Sequence, residues 1–284
     1  MENKIIRVVH FWDSILFKIS NLAQYFIYLG SFYRLKLHLK KNTKLSGRHK
    51  GERCFILLNG PSLLDLDLSK IRDEQVFCVN HFWTSEHYQT VKPNYYLASD
   101  TSFFSEKFYS EEDNYLKKIL TLTKQDGASC IFPVSYLKLL GSNKLDEHVY
   151  VTYSKHKPTG NKIRSSLSSL SSAFSTVSLF AINAAIDMGF SEIYLLGYEL
   201  PPWKGGLMPH AHVNTASELS TEERLVSDDD MFTQVGLHWQ YYQAQLENYY
   251  LAKHAARLGV RIYNCNSSSF VRAFDFVNYN DLHG

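Results

Sequence analysis

Short apolar runs, each closed by a polar or glycine-bearing turn, recur along this chain at residues 53–58, 75–79, 95–98, 129–132, 192–196 and 260–264. Runs so short and uninterrupted suit strands buried on both faces, as parallel sheets require. Helical stretches lie between them. Residues 106–120 carry one, 178–188 form an apolar one closed by Gly189, and 240–258 form a long amphipathic one closed by Gly259. This alternation predicts an α/β fold, a Rossmann-like parallel sheet with helices on both faces and right-handed crossovers. Ligands of such sheets sit at the carboxyl ends of the strands, so the polar residues just after each run are the first candidates for a site.

A chain of 284 residues, 45% hydrophobic and 14% aromatic, excludes disorder and suits one large domain with a sizeable core. No Gly/Ser/Pro linker divides it, so we expect a principal domain over residues 52–284 behind a distinct segment, 1–51. Cys54, Cys78, Cys130 and Cys265 lie far apart without a CxxC pair, mostly inside apolar runs. They are expected as buried thiols of a reduced, cytoplasmic protein.

The net charge of +2 hides an asymmetry: residues 34–53 hold eight Lys/Arg against one acid, about +7, leaving the remainder near −5. Before that basic run, residues 8–29 place Trp12, Ile15, Leu16, Ile19, Leu22 and Phe26 at helical spacing, with Asp13, Lys18 and Asn21 off that face. Charges interrupt the stretch too often for a spanning helix, and it lacks the pattern of a signal peptide. It predicts an N-terminal amphipathic helix that either lies on the inner face of a membrane, its basic flank drawn to anionic lipid, or packs on protein. Nucleic acid is not an expected partner, because the basic run has no interleaved aromatics.

The first run ends in Asn59-Gly60-Pro61-Ser62, where exposed amides suit a phosphate. Neither a GxGxxG fingerprint nor a Gly-Lys-Ser/Thr loop is present. Asn80 and His81 follow the second run, Asn80 as a ribose or base contact or as a helix cap. Ser99 and Asp100 follow the third, Asp100 as a hydroxyl or metal ligand or again a cap. Ser175, Thr176 and Ser178 crowd a helix start, suited to a carboxylate or phosphate, whereas the serines from 165 onward suit a flexible loop. Tyr198 and Glu199 follow the run at 192–196. Beyond them lie His210, His212, an acidic run at 228–230 and His238, a candidate general base just ahead of the last helix. The HxH pair without a third ligand and the acidic run without a preceding strand carry little weight as metal sites.

Taken together, NGPSL, CVNHFW, STVSLFAINAAIDMGFSEIYLLGYE and VRIYNC resemble the bacterial lipooligosaccharide sialyltransferase family. They also resemble a broader group of Rossmann domains similar to the archaeal hydroxymethylpterin pyrophosphokinase and to flagellin-modifying glycosyltransferases. The resemblance spans roughly residues 53–268 and implies a GT-A-like sialyltransferase variant of the fold. It further implies inverting transfer of an acidic sugar, sialic acid or Kdo type, from its CMP ester, with no essential metal or cofactor. On that resemblance, Asn59, Gly60, Pro61 and Ser62 line the CMP phosphate and ribose, and Asn80 contacts the nucleotide. Thr176 and Ser178 face the donor's phosphate or carboxylate, and Glu199 stands near the cytidine ribose. His238 deprotonates the acceptor, and Tyr198 or Tyr242 assists phosphate departure. The implied partners are a nucleotide-sugar donor, a glycan or lipid-linked acceptor, a membrane surface and a second copy of the chain. An ATP- and Mg²⁺-dependent phosphotransferase using Asp100 or residues 228–230, and a catalytically silent nucleotide-binding subunit, stand as alternatives.

Overall fold

In a computed structural model, residues 2–99, 115–139, 145–158, 162–200 and 231–283 are described. Nine strands form one sheet, parallel throughout: β1 Arg53–Leu57, β2 Gln75–Val79, β3 Tyr95–Leu97, β4 Ser129–Pro133, β5 Val149–His156, β6 Leu170–Ser172, β7 Glu192–Leu196, β8 Arg261–Asn264 and β9 Asp275–Phe276. The helices are α1 Glu2–Lys41, α2 Tyr88–Val91, α3 Tyr115–Gln125, α4 Tyr136–Leu139, α5 Val177–Asp187 and α6 Met231–Arg257. All six expected strands are present. Residues 149–156 and 170–172, expected as neither strand, extend the sheet, so part of the serine-rich stretch is strand rather than flexible loop.

The strand order is β6-β5-β4-β3-β2-β1-β7-β8-β9. From β1 the chain winds outward through β6, then returns to the other side of β1 for β7. Winding therefore reverses between β1 and β7, and at such a reversal the connections on neighbouring strands leave in opposite directions and open a crevice. Alternation along β1 explains why the strand is apolar after Arg53. Cys54 and Ile56 join the core under α5 and α6, whereas Phe55 and Leu57 join the core under α2 and α3. The four cysteines are free thiols, three of them buried.

The N-terminal helix is joined to the domain along its second half. Leu35 and Leu39 are buried with Tyr153 and Leu170, and the rings of Tyr28 and Tyr153 lie 5.4 Å apart. Lys41 donates to the carbonyls of Asp146 and Val149, at the start of β5, while Asn21 both donates to and accepts from the backbone of Lys157, beyond its end. The helix thus runs antiparallel to β5. Residues 42–51 belong to the domain: Leu45 is fully buried, and Gly47, His49 and Gly51 donate to the carbonyls of Asp187, Met188 and Gly189. Among the described residues no helix is long and apolar enough to cross a membrane.

Candidate active site

At the reversal, β1 and β7 continue past their ends as a pair of turns. Leu58 donates to Leu196 O at 2.8 Å and Gly60 to Gly197 O at 3.0 Å. Gly197 is required there on two counts: its φ of +71° is left-handed, and a Cβ would stand 2.2 Å from Leu58 O. Gly60 is needed for a different reason, since a Cβ would stand 1.3 Å from Glu199 Oε2. The Glu199 carboxylate lies against this bare backbone and accepts from Ser62 N at 2.9 Å and Asn266 Nδ2 at 3.1 Å. Three strand ends, those of β1, β7 and β8, are thereby fixed by one carboxylate.

Asn80 follows β2 with a left-handed φ of +48°, uncommon for any residue but glycine. It does not cap a helix: the cap position of the 3-10 turn that follows is Val79, with no side-chain bond. The fully buried Tyr96 locks this backbone, donating to Asn80 O at 2.6 Å and accepting from Trp83 N at 3.0 Å. Asn59 Oδ1, Ser62 Oγ and Asn80 Oδ1 are buried here without a hydrogen-bond partner among the described residues. Such orphans each cost about 1–3 kcal/mol and call for a ligand that satisfies them. A cavity of about 370 Å³ opens beside Asn59 and Asn80, its wall including Gly60, Pro61, Ser178, Tyr198, Glu199 and Phe270 but not Ser62.

A second cavity, about 560 Å³, adjoins the first at Asn80 and Val177 and is lined by the hydroxyls of Ser99, Ser135, Thr152, Ser154, Ser175 and Thr176 with Lys155 and Gln240. Both cavities receive the amino terminus of α5, whose unpaired amides favour negative charge. Thr176 caps that helix, accepting from Leu179 N at 3.4 Å. Ser175 is committed elsewhere: its amide and hydroxyl both donate to Glu247 Oε2, at 2.8 and 2.7 Å. With its proton so used, Ser175 turns lone pairs, not a donor, toward the cavity. Burial raises the pKa of Glu247, an effect partly offset by those two bonds from Ser175.

Around the two cavities the structure brings together Asn59, Gly60, Pro61, Asn80, Ser99, Ser175, Thr176, Ser178, Tyr198 and Glu199, which the sequence scatters over 141 positions. Ser62 lines neither and is joined to them through its amide bond to Glu199. Tyr198 lines the first cavity. It is buried, its hydroxyl donates to Asn248 Oδ1 at 3.0 Å and bonds with Ser178 and Thr176, and burial raises its pKa. His238 and Tyr242 line neither cavity. His238 is exposed on α6, two turns before Gln245, whose side-chain amide donates to Phe270 O at 3.4 Å. Tyr242 is on the outer side of α6 with its ring 5.6 Å from that of Trp239. Asp100, His210, His212 and residues 228–230 lie outside the described residues. Among those described, no three His, Cys, Asp or Glu side chains are arranged to hold a metal.

Sequence reasoning missed Glu247, Asn266, Phe270 and Lys155. Asn266 follows β8 and obeys the same strand-end rule that pointed to Asn59 and Asn80. Glu247 gives no such signal, because only the packing of α6 on α5 brings it to Ser175.

No protein-family model matches the chain, and no curated protein matches it. Solved structures do. An asparagine-to-alanine variant of the sialyltransferase CST-II in complex with CMP matches at 16% identity with a TM-score of 0.51, covering 81% of this chain and 87% of that one. CST-II in complex with a trisaccharide acceptor and CMP matches at 15% identity over the same shares, with a TM-score of 0.48. CstII from Campylobacter jejuni with the substrate analogue CMP-3FNeuAc gives 15% and 0.43, again over 81% and 87%. On the first of these, this chain has the fold of the sialyltransferase CST-II.

Proposed function

We propose that this protein is an inverting glycosyltransferase that uses a CMP-activated acidic sugar, of sialic acid or Kdo type, in surface glycan synthesis. The observation that carries the reading is the meeting of two buried side-chain oxygens, on Asn59 and Asn80, unpartnered among the described residues, at the cavity that opens by the reversal between β1 and β7. The likeness of fold to a sialyltransferase crystallised with CMP supports it.

In this reading the first cavity takes the nucleotide. The amides of Asn59 and Asn80 meet its polar edges, Glu199 meets ribose hydroxyls, and the half-exposed ring of Phe270 offers an apolar face to the base. The second cavity takes the sugar, its carboxylate facing Lys155 and the amino terminus of α5. The bond between the anomeric carbon and the phosphate oxygen breaks with its electron pair leaving on phosphate. Positioned hydroxyls and the helix terminus stabilise that charge without a metal. The acceptor oxygen attacks the opposite face of the ring, and its proton passes to His238. In this reading the acceptor enters from the side of α6 that carries His238. A glycan or lipid-linked acceptor and a peripheral position at a membrane complete the reading, supported by the exposed apolar residues of α1.

Thermal shift tests the donor. At a hundred times its dissociation constant CMP should stabilise the fold by about 2.7 kcal/mol, equally in EDTA and in Mg²⁺. A Mg²⁺-dependent shift with ATP and none with CMP would replace this reading with the phosphotransferase. His238→Ala should retain the CMP shift and lose transfer. Normal transfer by that variant removes the assigned base.

A further inference from the structure

Two helices extend past the carboxyl side of the sheet, where both cavities open. Among the described side chains, the hydrogen bond nearest the amino end of α1 is that of Asn21 with Lys157, and the helix continues to Glu2, about 28 Å at 1.5 Å per residue. Leu16 and Ile19 beyond that bond, and Leu22 and Phe26 just before it, are each 58–63% exposed. Across the mouth, Gln240 of α6 lines the second cavity, and the helix begins nine residues earlier at Met231. Val235, Trp239 and Tyr242 form an exposed stripe there, four and three residues apart.

The surroundings are basic. Residues 15–31, 150–158, 162–172 and 235–246 contain Lys18, Lys155, Lys157, Lys162 and Arg164 and no Asp or Glu, the acids next to them on the two helices being Asp13 and the buried Glu247. Arg164 lies 6.0 Å from the ring of Tyr25, which ties this charge to α1. The basic run at 34–53, by contrast, lies at the other end of α1, where Lys41 bonds at the start of β5. The charge that accompanies the exposed apolar side chains is therefore not the one conspicuous in the sequence.

We propose that the site mouth is docked onto an anionic lipid bilayer, with the projecting parts of α1 and α6 lying in the interface on either side of it. Apolar side chains rimmed by lysine and arginine are the pattern of an interfacial helix, and aromatic rings such as Trp239 and Tyr242 favour the headgroup level. A second copy of the chain fits less well, because it would set these basic groups against their own kind. The docking does not depend on the donor. That the acceptor is drawn from the bilayer rests on the transferase reading above.

Sedimentation with vesicles, on the full chain, decides it. Wild type should bind vesicles of equal parts phosphatidylglycerol and phosphatidylcholine, weaken as salt rises, and bind phosphatidylcholine alone far less. Ile19→Glu with Leu22→Glu should lower the partition coefficient by about tenfold or more, and so should Val235→Glu with Trp239→Glu. Both variants should retain the wild-type melting temperature and CMP shift. Unchanged sedimentation of the α6 variant would overturn the two-helix arrangement, and unchanged sedimentation of both would overturn the docking. Loss of a concentration-dependent dimer, with no vesicle binding by wild type, would assign the face to a second copy instead. Should CMP fail to bind wild type, the donor reading falls while the vesicle result still stands.

Discussion

Asn80 concentrates what a single residue contributes to this site. Its backbone is held in the left-handed region by Tyr96, and its side-chain oxygen is buried without a partner among the described residues. Strain kept in place by a fully buried neighbour is a mark of function rather than of stability. Asn80→Ala is therefore expected to weaken CMP binding by about 1–3 kcal/mol in calorimetry, while the melting temperature of the free protein falls little. Removing an orphan acceptor relieves about as much as the alanine loses in a left-handed conformation. Glu247 makes the opposite case. Burial raises its pKa in the fold, so below the ordinary glutamate value the proton it holds contributes stability, and that contribution is lost as pH rises through the raised value. Glu247→Gln keeps an oxygen for Ser175 and removes the titration. Its stability relative to wild type should rise between about pH 4 and pH 7, as denaturant unfolding at several pH values will show. A difference that stays constant with pH would mean that Glu247 is already ionised at no cost.

At the scale of elements, the strands that were legible in the sequence are the central ones. Residues 54–57, 76–79 and 193–196 form an apolar run in each because helices cover both of their faces. β5 escaped notice because VYVTYSKH mixes polar and apolar residues: Thr152, Ser154 and Lys155 serve the second cavity, and Tyr153 receives α1. β6 is three residues of a serine-rich stretch, too short for any period to show. Of the sheet, it is β5 that lends the second cavity hydroxyls, those of Thr152 and Ser154, so the strand that lines the site is one that least looks like a strand. The joint between α1 and β5 is a further case. Asn42 is fully buried and its amide donates to Val151 O and Leu167 O, both at 2.7 Å, yet an asparagine after a lysine-rich stretch reads as surface. Asn42→Leu strands both carbonyls and should cost about 2–4 kcal/mol, seen as a lowered denaturation midpoint with unchanged slope.

Over the whole molecule, the expected division at residue 51 does not mark the limit of packing. Leu35, Leu39, Asn42, Leu45 and His49 are all buried against the domain. Deleting residues 2–14 should leave the melting temperature and CMP binding as they are, whereas deleting residues 2–51 should give an unstable or insoluble chain. A stable chain of residues 52–284 with full CMP affinity would show that α1 and its joint are dispensable. The architecture also bears on how the protein comes into being. Leu57 and Leu196, the residues that frame the crevice, are sheet neighbours. At 5–20 residues per second the second leaves the ribosome roughly 7–30 s after the first. Throughout that interval α1 is already made, and β1 has no partner on its β7 side. A nascent chain can thus reach a bilayer well before it can hold a ligand, and any polypeptide ending before Glu192 has an outer wall for the cleft but no cleft.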